Sequence, residues 1–184
     1  MPKKMKKKMS SVKKKSAVKK PVKKTVKKSK KVSAIAVGYH SITPYLIVRD
    51  ASSAIEFYKK AFGAKEVMRV AKENGKVGHA ELQIGNAKIM LADEHPELNA
   101  RSPQEFGGSP VSIHLYIDNV DNVVDRAVQL GATLIREVTD MYYGDRSGGV
   151  TDPFGHQWYV STHIEDVTPS EIKKRLANMG NMGC

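Results

Sequence analysis

The chain has 184 residues and a formal charge of +12, but the charge is unevenly placed: residues 1–31 hold sixteen lysines and no acid, whereas the other 153 residues carry 15 basic and 19 acidic side chains, a balance of −4. One cysteine, Cys184, excludes a disulfide within the chain, and no stretch approaches the roughly 20 apolar residues that span a bilayer. A disulfide scaffold and a transmembrane helix are thereby set aside, and a cytoplasmic protein with one core-forming body is expected.

Residues 1–34 read as a disordered Lys-rich tail. Its loose VKK repeat sets Val18, Val22 and Val26 four apart, but Pro21 interrupts any helix and the like charges repel one another. Lysine at this density attracts polyanions without reading sequence, so non-specific nucleic acid is one expected partner. A solubilising extension with no dedicated partner is the other reading.

The body, residues 35–165, uses one unit twice, as modules 41–92 and 111–162. In the first, SITPYLIV alternates as a strand, Ser53 and Glu56 have capping-box spacing, and Ile55, Tyr58 and Phe62 share a helix face that Gly63 stops. KEVMRVA, KVGHAELQI and AKIMLAD then read as strands split by the Asn74-Gly75 and Gly85-Asn86 turns. A linker rich in Pro, Gly and Asn, from Asp93 to Pro110, leads to the second copy. There VSIHLYID is the strand, a helix begins at Asp121 with Val124, Ala127, Val128 and Leu130 inward, and Gly131 stops it. ATLIREV, a weaker strand near Gly149 to Thr151, and HQWYVSTH complete the unit, with Asp145 and Arg146 on the preceding loop. Thr43 and Ser112 are 69 apart, Gly63 and Gly131 are 68 apart, and Gly85 and Gly155 are 70 apart. Residues 166–184 give a short tail and a C-terminal helix over 169–178, capped by Thr168 and docked by Ile172 and Leu176.

The fold class is therefore α+β: paired βαβββ modules forming a curved sheet around a cup. Alternation puts His79, Glu81 and Gln83 on the face away from the helix, with Tyr45 and Met90 from the neighbouring strands. In the second module Ser112, His114, Tyr116 and Tyr159 share the corresponding face. Aromatic walls with a few polar groups suit a small ligand better than open water.

The stretches TPYLIV with AIEFYKKAFGA, GHAEL, GGSPVSIHLYIDNVD with RAVQLGA, and GDRSGGVTDPFGHQW together resemble the vicinal oxygen chelate superfamily, which groups glyoxalase I, fosfomycin and bleomycin resistance proteins and extradiol dioxygenases. They are most similar to its PhnB-type glyoxalase-like branch. The resemblance implies metal ligands at Thr43, Met90, Ser112 and Tyr159, and none of these is a His, Asp or Glu. No metal and no cofactor is therefore expected. The same resemblance sets Arg146 at the mouth of the cup, where a guanidinium could grip an anion.

Function is expected to be the binding of a small anionic or aromatic molecule by Tyr45, His114, Tyr116, Arg146 and Tyr159. His79 and Glu81 are the candidate catalytic pair, and the alternative is that both satisfy polar neighbours, Glu81 through Arg146 or Lys88. A metal-assisted lyase or dioxygenase is the first alternative function. A nucleic-acid-associated accessory protein tethered by its basic tail is the second. A homodimer is expected, because family members commonly pair and open sheet edges benefit from cover.

Overall fold

In the computed structural model, which describes residues 32–178, each copy of the repeat becomes one helix laid on a four-stranded sheet. The lysine-rich stretch of residues 1–31, with the disorder expected of it, lies outside the described residues. The first module comprises β1 (Tyr45–Val48), α1 (Ala51–Phe62), β2 (Lys65–Ala71), β3 (Val77–Ile84) and β4 (Ala87–Asp93). The second comprises β5 (Ser112–Tyr116), α2 (Val120–Gln129), β6 (Thr133–Asp140), β7 (Asp145–Thr151) and β8 (Gln157–His163). In each the first strand pairs parallel with the last, in the orders β1-β4-β3-β2 and β5-β8-β7-β6. Tyr45 faces Met90 and His114 faces Tyr159, so the duplicated registers coincide.

The helix ends differ from the expected ones. Asp50, in extended backbone, caps α1 by accepting from the Ser53 amide at 2.9 Å, so Ser53 lies in the first turn rather than at the cap. Gly63 closes the helix in the left-handed conformation, as its position predicts. Asn119 caps α2 from the equivalent place, 3.0 Å from the Asn122 amide. The buried stripe of α2 is Val120, Val123, Val124 and Ala127, so Val124 and Ala127 face inward as expected while Val128 and Leu130 are exposed. The last helix, α3 (Pro169–Asn178), buries none of its residues, and Leu176 is exposed. Instead of apolar docking it has Arg175, which donates to both Glu165 carboxylate oxygens at 2.7 and 2.8 Å.

The largest correction is β7. Asp145 and Arg146 belong to a full seven-residue strand, not to a loop before a short one. Ser147, Gly148 and Gly149 carry no branched or aromatic side chain to announce it. A methyl on Gly148 would stand 2.7 Å from Val138 Cγ2, and one on Gly149 would stand 3.1 Å from Tyr159 Cε1. Close approach on both faces of the strand therefore explains the small residues that hide it.

One core serves both modules. Phe57, Tyr58 and Phe62 of α1 meet Phe154 and Trp158 of the second module, with Phe62 and Trp158 ring centres 4.7 Å apart. Buried Asp152 accepts from the Tyr58 hydroxyl at 2.7 Å and from Trp158 Nε1 at 2.8 Å. Arg126 of α2 donates twice to the Ala61 carbonyl near the end of α1. The helix-covered faces of both sheets thus meet in the middle, and among the described residues no ladder joins one sheet to the other. The opposite face of each sheet is left to build a site.

Candidate functional site

On the open face of the first module, β1, β4 and β3 bring Tyr45, Met90 and Glu81 into one row. His79 stands two residues from Glu81 on the same face of β3, its Nδ1 3.0 Å from the Tyr45 hydroxyl. The Glu81 carboxylate lies 3.7 Å from His79 Nε2 and 3.1 Å from Lys88 Nζ, so the sequence alternative of a Lys88 partner is realised in the fold. Lys88 also lies over the Tyr39 ring. A hydrogen bond from the Tyr39 hydroxyl, then the Lys88 ammonium, hold the Glu81 carboxyl below its ordinary value. It is an ionised acceptor, already engaged at neutral pH. Burial pushes the Tyr45 hydroxyl up, so it stays a phenol.

The second module repeats the row with other chemistry. His114 of β5 faces Tyr159 of β8, which faces Gly149 of β7, which faces Arg136 of β6. His114 and Tyr116 rings are 4.9 Å apart. Burial holds the His114 imidazole below its ordinary value, against the attraction of Asp145 and with help from the Arg136 charge. Asp145, almost wholly buried, accepts from the Tyr116 hydroxyl at 2.8 Å and bonds His163 Nδ1 at 2.8 Å. That bond raises the Tyr116 hydroxyl above its ordinary value.

Tyr45 and His114, the equivalent residues of the two first strands, line one cleft of about 540 Å³. Ile42, Val111 and His156 complete much of its wall. The His156 backbone amide bonds Asp152 in the turn before β8, while its ring Nε2 lies 3.2 Å from the Ile47 carbonyl. The cleft therefore sits where the start of each module meets the other.

Arg146 does not join these groups. Its strand neighbours Asp145 and Ser147 point to the open face, so Arg146 points to the helix side and donates to both Asp121 oxygens at 2.7 and 2.8 Å and to Asp140 at 2.8 Å. Those two carboxylates hold it above its already high ordinary value. Sequence reasoning placed it on a mouth loop because β7 was not recognised as a strand. It also passed over Arg136, whose guanidinium carbon lies 4.7 Å from the Tyr159 ring centre. The repeat held the signal: Met68 pairs with Glu81 as Arg136 pairs with Gly149, so the residue equivalent to Arg136 lies opposite Glu81 of the first module's open face.

The positions implied for a metal do not fit one. Met90 and Tyr159 occupy matching places in the last strands, and with Thr43 and Ser112 they supply a thioether and hydroxyls only. Among the described residues no three His, Cys, Asp or Glu side chains are grouped to hold a metal ion.

Residues 38–160 match the family model described as the Glyoxalase/Bleomycin resistance protein/Dioxygenase superfamily. An uncharacterised protein of Mycobacterium bovis is 40% identical over 144 residues, covering 77% of this chain and 95% of that protein. Among solved structures, a gene product of Arabidopsis thaliana is 30% identical with a TM-score of 0.54, covering 67% of this chain and 98% of its own. The fosfomycin resistance protein FosX of Listeria monocytogenes, solved with manganese(II) and sulfate, is 22% identical with a TM-score of 0.52, covering 73% of this chain and 95% of that one.

Proposed function

The chain belongs to the glyoxalase, bleomycin resistance protein and dioxygenase superfamily, and from that membership we propose that it binds a small anionic or aromatic molecule on the open sheet faces without the usual metal. The observation that carries the reading is the shared cleft: Tyr45 and His114, one from each module, line the same space, with Tyr116 and Tyr159 on the sheet beside it. A volume of this size suits a small molecule. The superfamily hosts several chemistries on one fold, so the site rather than the fold must carry the assignment.

If a proton moves at the first module's face, His79 is its carrier, because Glu81 is tied to Lys88 and Tyr39 while the His79 ring lies beside the Tyr45 hydroxyl and the Glu81 carboxylate. Glu81 then orients the imidazole. A metal-assisted lyase or dioxygenase is the less favoured reading, since no imidazole or carboxylate stands at the positions implied for a ligand.

The cup itself we assign to a homodimer. Each open face ends at unpaired edge strands, and the outer strands β2 and β6 expose Val67, Met68, Val70, Leu134 and Ile135. A second copy laid against these faces would enclose what one chain leaves open. The basic segment of residues 1–31 is proposed to hold nucleic acid without sequence preference.

The binding role is tested by titrating isotope-labelled protein with small aromatic and anionic probes and mapping the perturbed resonances. Movement of Tyr45, His114 and Tyr159 signals is expected. Perturbation confined to other surfaces would overturn the assignment.

A further inference from the structure

We propose that Arg136 anchors a small planar monoanion, of the aromatic carboxylate class, against the Tyr159 ring on the open face of the second module. This assignment rests on the binding role proposed above and names its ligand class.

Arg136 differs from the other arginines of the described residues. Arg49, Arg69, Arg101, Arg146 and Arg175 each pair with at least one carboxylate. Arg126 spends two donors on the Ala61 carbonyl near a helix C-terminus, where positive charge is favoured. Arg136 has only a hydroxyl: Nη2 donates to Ser147 Oγ at 2.6 Å, while Nε is shut away from solvent with no acceptor. The Tyr159 ring beneath it offers a cation–π contact, which offsets part of a partly buried charge but does not neutralise it.

Its neighbours do not supply the missing charge. Asp145 is the nearby carboxylate of the same face, yet one oxygen accepts from Tyr116 and the other bonds His163. His114 is driven toward its neutral form by burial and by Arg136 itself, so it adds no second cation and is free to donate or accept one hydrogen bond. A single positive charge over an aromatic floor suits a monoanion better than a dianionic phosphate. The floor is prepared: Gly149 carries no side chain, and the Tyr159 ring occupies the space beside it. The first module offers the reverse arrangement, with apolar Met68 in the place of Arg136 and anionic Glu81 in the place of Gly149. A carboxylate is therefore favoured on the second module's open face and disfavoured on the first's.

The test uses the full chain at physiological ionic strength, with benzoate as the anionic probe and benzyl alcohol as its uncharged counterpart, followed by calorimetry and by resonance mapping. Benzoate is expected to move the Tyr159, His114 and Arg136 resonances. Arg136→Gln should weaken it on the order of tenfold, about 1.4 kcal/mol, with Arg136→Lys in between. Benzyl alcohol should bind wild type and Arg136→Gln alike. Equal benzoate affinity in wild type and a folded Arg136→Gln would overturn the proposal. Should that variant fail to fold, the mapping on wild type decides, and benzoate shifts that leave Arg136 and Tyr159 unmoved would overturn it. Displacement of benzoate by equimolar inorganic phosphate would overturn the carboxylate class. If benzyl alcohol still perturbs Tyr45 and His114 while benzoate ignores Arg136, only this assignment falls. If neither probe reaches the cleft, the binding role falls with it.

Discussion

Asp93 and Thr162 hold the two helices from the same place. Each lies near the end of its module's last strand, and each side chain accepts from the first backbone amide of the helix: Asp93 Oδ1 from Ala51 at 2.9 Å, Thr162 Oγ1 from Val120 at 2.9 Å. Each makes a second bond: the other Asp93 oxygen accepts from the Val77 amide at 2.6 Å, and the Thr162 hydroxyl donates to the Ile117 carbonyl at 2.9 Å. Asp93→Ala strands two buried donors that a carboxylate had satisfied and should cost about 2 to 4 kcal/mol, against roughly 1 to 2 kcal/mol for Thr162→Ala, whose bonds are neutral and part-buried. Urea unfolding of the two variants checks the order, and an equal loss would show that neither charge nor depth strengthens the Asp93 pair.

The two histidines of the second module's open face should titrate in opposite directions. His163 bonds Asp145 and Asp166, in that order of effect, and is raised above 6.5, while burial lowers His114 below it. A raised folded value means that the His163 contribution is fully present below about pH 6.5 and fades as pH rises through its folded pKa. His114 works the other way, its contribution fully present above about pH 6.5 and fading as pH falls through its lowered folded pKa. Histidine resonances followed against pH give both values. His163→Gln should remove the loss of stability on the alkaline side of pH 6.5 and leave the His114 midpoint below 6.5.

Adjacent glycines of β7 should fail differently. Gly148→Ala drives a methyl into Val138 Cγ2 and should cost about 1 to 3 kcal/mol as an overpacked contact under α2. Gly149→Ala meets the Tyr159 ring and Ile135 at 3.1 Å, so its main effect should be on ring position and ligand affinity. Thermal unfolding read beside probe titration separates the two. Loss of affinity from Gly148→Ala alone would reverse the assignment of faces.

Protein purified without added metal should hold well under one transition metal per chain, and any binding should survive chelation. Elemental analysis decides it. A stoichiometric metal that disappears on replacing His79, Glu81 or His114 would move the protein into the metal-assisted class.

Full-length protein should be retained on duplex DNA, with retention falling steeply as salt rises, and a 32–184 truncation should not be retained. Equal retention of the two would sink the proposed nucleic-acid role, and sharp sequence preference would reveal a base-reading element.

Strand alternation in β3, β5 and β8 was legible because each sends apolar side chains to one face, so the sequence alone puts His79, Glu81, His114, Tyr116 and Tyr159 on the opposite one. β7 was not, because its small residues answer to Val138 and Tyr159, which are distant in sequence. That one omission moved Arg146 onto a loop and hid the carboxylates of Asp121 and Asp140 that occupy it. Helix α3 misled for a different reason: Ile172 and Leu176 have the spacing of a docking stripe, but the ion pair of Arg175 with Glu165 acts where the apolar contact was expected. Pattern reports a residue's own chemistry well and its partners poorly.

The Tyr58 hydroxyl on Asp152 makes the duplication unequal to a division of labour. Tyr58 belongs to the first module's helix, yet it and Trp158 share a carboxylate buried in the second. A chain cut at the linker would leave Asp152 missing one donor and Phe62 without the indole it lies against. The unit that was copied is thus smaller than the unit that folds. The two halves share one interior, and heat or denaturant should dissolve both together in one step.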